Sequence, residues 1–134
     1  MAIKTKWVTE DCFSNEDQLS AAIFRHFDKE YPELRGLYVL NFNNPKDAKQ
    51  GNALLGQGLR AGHPDASVFL PIFKCSIAGL FLEYKMSKTG ITSPKQKVQH
   101  KRLKSVGYVV VIITSLEQFK FVIDSYIKKY HQNL

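Results

Sequence analysis

Hydrophobic and polar positions along the chain follow two periods, 3.6 and 2, and the switches between them outline the elements. Leu19, Ile23 and Phe27 recur at helical spacing. They predict a first helix from near Ser14, which can cap it with Asp17 as capping-box partner, to just before Tyr31-Pro32. Gly36 leads into a strand over 37–42, ended by the turn-forming Asn43-Asn44-Pro45. The polar stretch 46–59, with Gly51, Gly56 and Gly58, reads equally as a weak helix or a loop. Segments 66–70 and 80–85 are the two strands of a hairpin with an irregular connection over 71–78. After a polar loop over 86–92, Ser93, Pro94 and Gln96 supply the cap, the first-turn proline and the capping-box partner of a second helix. That helix runs to Ser105 and is closed by Gly107. Segment 108–114 is the most apolar strand, β-branched at every position from Val109 to Ile113, the pattern of a strand buried on both faces. Ser115 and Gln118 repeat the capping box, and Phe119, Ile123, Tyr126, Ile127 and Tyr130 mark a terminal amphipathic helix.

The order is thus helix, three strands, helix, strand, helix. A helix between the third and fourth strands makes a crossover, so part of the sheet must be parallel. The class is α/β, a mixed central sheet flanked by helices.

Composition narrows the function. The 134 residues fit one domain spanning 1–134, with 1–13 as a candidate N-terminal arm. Hydrophobic residues at 44% and charged residues at 23% exclude wholesale disorder. The longest apolar run, 109–113, is far short of a membrane span, and the first residues lack the apolar segment of a signal peptide. Cys12 and Cys75 form no CxxC pair, as expected of a reduced, cytoplasmic protein. A net charge of +7 favours an anionic partner, nucleic acid first.

Candidate chemistry lies in the hairpin. Side chains alternate along a strand, so Glu83 and Lys85 share one face while Leu82 and Tyr84 take the other. Asp65, at the mouth of the preceding strand, can reach the Glu83 face if the strands pair. Two carboxylates with positions left open to water and phosphate suit Mg²⁺ or Mn²⁺, and a neighbouring lysine can stabilise charge on a phosphate. Each piece also has a plain explanation: Pro-Asp is a common turn element, and Glu-x-Lys on a strand is often a solvated ion pair. His63 has no second histidine or cysteine at ligand spacing, so zinc is not read.

The succession Gly62-His63-Pro64-Asp65, then Glu83-Tyr84-Lys85, then Ser93-Pro94-Lys95-Gln96 resembles the PD-(D/E)xK nuclease superfamily. More narrowly it resembles the stand-alone virus-type replication-repair nuclease (VRR-NUC) domains of phages. The match runs from about Glu16 to Ile127 and takes in Asn43-Asn44, Gly58 to Ala61, Leu103 and Gly107-Tyr108. The resemblance implies a restriction-endonuclease-like core and a Mg²⁺-dependent deoxyribonuclease, with Mn²⁺ able to substitute. It implies Asp65, Glu83, Lys85 and Gln96 as catalytic residues. It further implies Glu16, Asp65, Glu83 and the backbone carbonyl of Tyr84 as metal ligands. Glu16 shares the inward face of the first helix with Leu19 and Ile23, though an acid there also suits the helix's positive end. Gln96 is equally a plain capping residue. Tyr84 stands where the family more often has an aliphatic residue, a change that bears on packing.

Arg60, Lys88, Lys95, Lys97, His100 and Lys101 are candidate DNA contacts, with Arg102 and Lys104 on the same helix. His100 follows Gln96 by four, so it reads equally as a DNA contact or as an interior polar group. With no separate recognition domain, specificity is expected from DNA shape. The resemblance points to branched DNA such as Holliday junctions; the small size and the N-terminal arm, whose Trp7 and Phe13 could cross to a partner, lead to the expectation of a homodimer that cuts both strands. The rival reading is a basic nucleic-acid-binding module that keeps the fold without cleaving. Two carboxylates at a phosphate site speak against that rival, because they repel the ligand unless a cation intervenes.

Overall fold

The computed structural model describes residues 15–41, 46–86 and 92–134. Helix α1 (Glu16–Glu30) starts at Asn15, whose side chain accepts a hydrogen bond from the Gln18 amide. Asn15 therefore caps the helix where Ser14 with Asp17 was expected, because an Asn side-chain oxygen reaches that orphan amide equally well. Ser14 itself lies outside the described residues. The helix buries Leu19, Ala22, Ile23 and Phe27 and stops at Tyr31, as its following proline requires.

Strand β1 (Tyr38–Leu40) is shorter than the expected 37–42; Phe42 and the Asn43-Asn44-Pro45 turn lie outside the described residues. The undecided polar stretch contains helix α2 (Ala48–Gly56), capped by Asp47, and none of its residues is buried. Strands β2 (Ala66–Val68) and β3 (Gly79–Tyr84) pair antiparallel, with Ala66 opposite Leu82. Their connection holds a 3-10 turn at Phe73–Cys75 and a single bridge between Ile72 and Ile77. Helix α3 (Pro94–Ser105) opens on the complete Ser93–Gln96 capping box. Gly107, at φ +99°, turns the chain into β4 (Tyr108–Ile113), which runs parallel to β3. Ser115 caps α4 (Leu116–Gln132), but Gln118 bonds the Thr114 amide and hydroxyl, so the returning half of that box lands one residue early.

The sheet order is β1-β2-β3-β4. β4 is accordingly an edge strand, and the expectation that it is buried on both faces is corrected. Tyr108 to Val111 are only half-buried and Ile112 is exposed. The strands buried at every position are β2 and β3, each of which has a strand on either side, and β3 is the longer of the two. Leu80, Leu82 and Tyr84 join Phe27, Phe119 and Ile123 in the core beneath α1 and α4. Phe81 turns the other way, onto Tyr108 and His63. The Tyr126 hydroxyl donates to the Leu70 carbonyl at 2.6 Å, closing α4 over the hairpin connection.

On α4, Phe119 is fully buried while Phe121, two residues on, is 74% exposed. Phe119→Ala should cost about 3–5 kcal/mol, whereas Phe121→Ala should change stability by about 0.5 kcal/mol or less. Urea unfolding of the two variants checks this.

Candidate active site

The strand alternation of β3 determines which residues can meet. Tyr84 faces the α1 layer, where its hydroxyl bonds that of Tyr38. Glu83 faces α3, and Lys85 follows it on the same side. Asp65 is brought in from the start of β2 by two contacts. Its backbone carbonyl accepts from the Asn41 amide at 2.8 Å, and its Oδ2 accepts from the Tyr84 amide at 2.7 Å. This clamps Asp65 against β3, where its carboxyl group is hydrogen-bonded to that of Glu83.

Glu83 is only 2% exposed. Burial, then the hydrogen bond and charge of Asp65, push its pKa up to about 9, with Lys85 opposing and Glu16 adding to the shift. Two carboxyls in contact in a dry site cannot both ionise easily without a cation, so Glu83 keeps its proton at neutral pH. His100 completes the surroundings, with Nε2 3.2 Å from Glu83 Oε1.

Lys85 is held from α3. Its Nζ donates to Gln96 Oε1 at 3.1 Å, and the same oxygen accepts from the Ser93 amide at 2.9 Å. Gln96 is thus a helix cap and a lysine anchor at once, so its two sequence readings are compatible. Glu16, at the first turn of α1, lies on the rim. Burial and the neighbouring Asp65 raise its pKa, with Lys85 acting against them. A cleft of about 410 Å³ joins these groups to Arg60, His63 and Lys95.

The loop before Asp65 presses directly on the start of α3. A Cβ on Gly62 would sit 2.5 Å from the Lys95 carbonyl group, and the residue's φ of +83° also suits glycine. Asn41 fixes the loop from the other side, donating from Nδ2 to the Pro64 carbonyl at 3.0 Å and to Ser67 Oγ at 2.9 Å. Neither role shows in the sequence. Asn41 reads there as one more polar position at a strand end, and its partners lie 23 and 26 residues away.

The expected DNA contacts divide. Arg60 and Lys95 are exposed and line the cleft. Lys97 and Lys101 are exposed one turn apart on α3 and line neither of the clefts beside the carboxyls. Lys88 lies outside the described residues. His100 is 7% exposed, and its Nε2 is turned to Glu83 Oε1. A larger groove of about 840 Å³, lined chiefly by Phe24, Tyr38 and Leu40, adjoins the same Glu16 and Asp65. The titratable chemistry sits in the smaller cleft. Among the described residues, no three His, Cys, Asp or Glu side chains stand together in ligating geometry. Asp65 and Glu83 are the oxygen donors that converge and could hold a cation.

A mixed four-stranded sheet flanked by helices, with its carboxyl pair at the β2–β3 hairpin, defines a restriction-endonuclease-like α/β domain. Among solved structures the chain is similar to a "VRR_NUC domain protein", with a TM-score of 0.71 and 20% identity over 84% of this chain and 88% of that one. The chain therefore has the fold of a VRR-NUC domain, as the motif resemblance implies. No family model matches the chain, and no curated protein matches it.

The raised pKa of Glu83 has a consequence for stability. Between 4.5, its ordinary value, and about 9, the folded metal-free protein holds a proton that the unfolded chain has released. Stability must therefore fall as pH rises through that window. His26, His63 and His100 are all shifted downward, burial being the first cause in each, so above pH 7 they are neutral in both states. Thermal unfolding in EDTA should show a loss of stability from pH 7 to 9 that Glu83→Gln flattens. An equal loss in that variant would place the titration elsewhere.

Proposed function

We propose that this chain is a divalent-metal-dependent DNA endonuclease that hydrolyses phosphodiester bonds and selects branched or junction DNA as a homodimer. The observation that carries the reading is the Asp65–Glu83 carboxyl pair, with Lys85 anchored beside it in a cleft that also holds Arg60 and Lys95. A crowded acidic pair within a basic chain is explained if a cation occupies it and a phosphate follows. The donor set suits Mg²⁺ or Mn²⁺, which take one or two carboxylates and leave their other positions to water and substrate oxygens.

When bound, such a cation polarises the scissile phosphate and acidifies the attacking water. Asp65 and Glu83 are the proposed ligands, with Glu16 at the rim and the Tyr84 carbonyl as additional ones. Lys85, held by Gln96, presents its ammonium group to the nucleophile and to the charge that develops on the phosphate. Arg60 and Lys95 hold flanking phosphates, and Lys88, Lys97 and Lys101 extend the basic surface. Contacts of this kind position a duplex without reading its sequence, so selectivity rests on DNA shape. Among the described residues one such cleft is present, so a homodimer would bring two to the two strands of a duplex.

Linear, flap, fork and four-way-junction DNA should be compared with Mg²⁺, Mn²⁺ or EDTA on one gel. The expected result is metal-dependent cleavage that favours a branched substrate, from a protein that sediments as a dimer. Asp65→Asn and Lys85→Ala should each lower cleavage roughly 10²-fold or more while the far-UV spectrum is unchanged. Wild-type cleavage by either variant refutes the site; tight DNA binding with no cleavage under any metal favours a non-catalytic binding module.

A further inference from the structure

We propose that His100 is a positioning residue, whose Nε2–H holds the Glu83 carboxylate in the orientation that receives a divalent cation. The inference rests on the metal-dependent reading of the cleft and adds to it a residue that touches neither cation nor DNA. His100 follows Gln96 by one turn of α3, so both side chains point at β3: Gln96 meets Lys85 and His100 meets Glu83. The helix therefore addresses the two functional groups of β3 one by one.

Chemistry decides which atom carries the hydrogen. A carboxylate that ligates a cation has no proton of its own and only accepts. The 3.2 Å contact between Glu83 Oε1 and His100 Nε2 then needs its hydrogen on Nε2. The terminal torsion of a glutamate is broad, so nothing intrinsic to the side chain fixes the plane of its carboxyl group. A buried donor on Oε1 restricts that rotation and leaves the remaining lone pairs to the cation. The burial of His100, at 7% exposure, keeps water from supplying the same bond. Outer-sphere partners of this kind typically set metal affinity by 10–100-fold.

The test is Mn²⁺ binding to the full chain, followed by electron paramagnetic resonance, in wild type, His100→Gln and His100→Phe. Gln keeps a side-chain N–H donor of similar reach, while Phe keeps the ring and loses the donor. Mn²⁺ affinity should be retained in the Gln variant and weakened roughly 10–100-fold in the Phe variant. Wild-type affinity in the Phe variant, or equal loss in both, overturns the proposal while leaving the metal site standing. Absence of Mn²⁺ binding by the wild type overturns the metal reading itself, and this proposal with it. Should the Phe variant not fold, ¹⁵N NMR of the Mg²⁺-loaded wild type decides: a hydrogen on His100 Nε2 supports the proposal, and a bare Nε2 overturns it.

Discussion

An acid on the most enclosed strand of a small sheet is an expensive thing to bury, and the arrangement of this protein follows from how Glu83 is accommodated. An isolated carboxylate in such a place would take up a proton sooner than remain charged and dry. Here the group is surrounded by partners from three separate segments: Asp65 from the start of β2, His100 from α3, and Lys85 two residues along its own strand. Two of these partners have anchors of their own. Asp65 is fixed by the Tyr84 amide, Lys85 by Gln96, and the loop before Asp65 by Asn41 and by the close approach of Gly62 to α3. The hairpin and the crossover helix are thereby tied together through polar groups, while the opposite face of the sheet is closed by an ordinary apolar core.

That division of labour explains what the sequence discloses. Short-range signals carry the helices and the hairpin. The Ser93–Gln96 box, the proline after Tyr31 and the apolar stripe on α4 act within one or two turns, so their meaning does not depend on the rest of the chain. The pairing of Asp65 with Glu83 is legible for a similar reason, since one hairpin joins them. What escapes the sequence is long-range. The β-branched run of β4 reads as a doubly buried strand, yet no property of the run itself says whether a fifth strand lies beyond it. His100 reads equally as a surface or an interior group, because the i, i+4 relation to Gln96 says that the two share a face and not how deep that face lies. Asn41 and Gly62 gain their roles only from partners that the fold brings to them.

Two unlike cavities meet at the carboxyl groups, and their difference bears on how a substrate is oriented. The smaller is flanked by the cations Arg60, Lys85 and Lys95; the larger has no cation in its lining and includes Phe24, Tyr38 and Leu40. Glu16 and Asp65 border both. Phosphates are drawn to the basic side, so the apolar side is left for parts of a ligand that carry no charge. The hydroxyls of Tyr38 and Tyr84, which both line that side, bond each other, and that of Tyr84 is also hydrogen-bonded to Ser20, so neither is buried without a partner.

The net charge of +7 consequently describes the surface and not the centre. Lys97, Lys101, Arg102 and Lys104 are exposed along α3, the same helix whose inner face carries Gln96 and His100. One helix thus presents cations outward, where screening by salt limits their effect to about 10 Å at 0.1 M. Inward it presents neutral hydrogen-bonding groups, to the side where the acids are. Were its inner positions cationic as well, they would satisfy Glu83 and Asp65 directly and leave no place for the cation proposed above. A neutral inner face and a charged outer one leave Glu83 with its raised pKa and a proton still to lose. On the proposed reading of the cleft, that proton is what an incoming cation would displace.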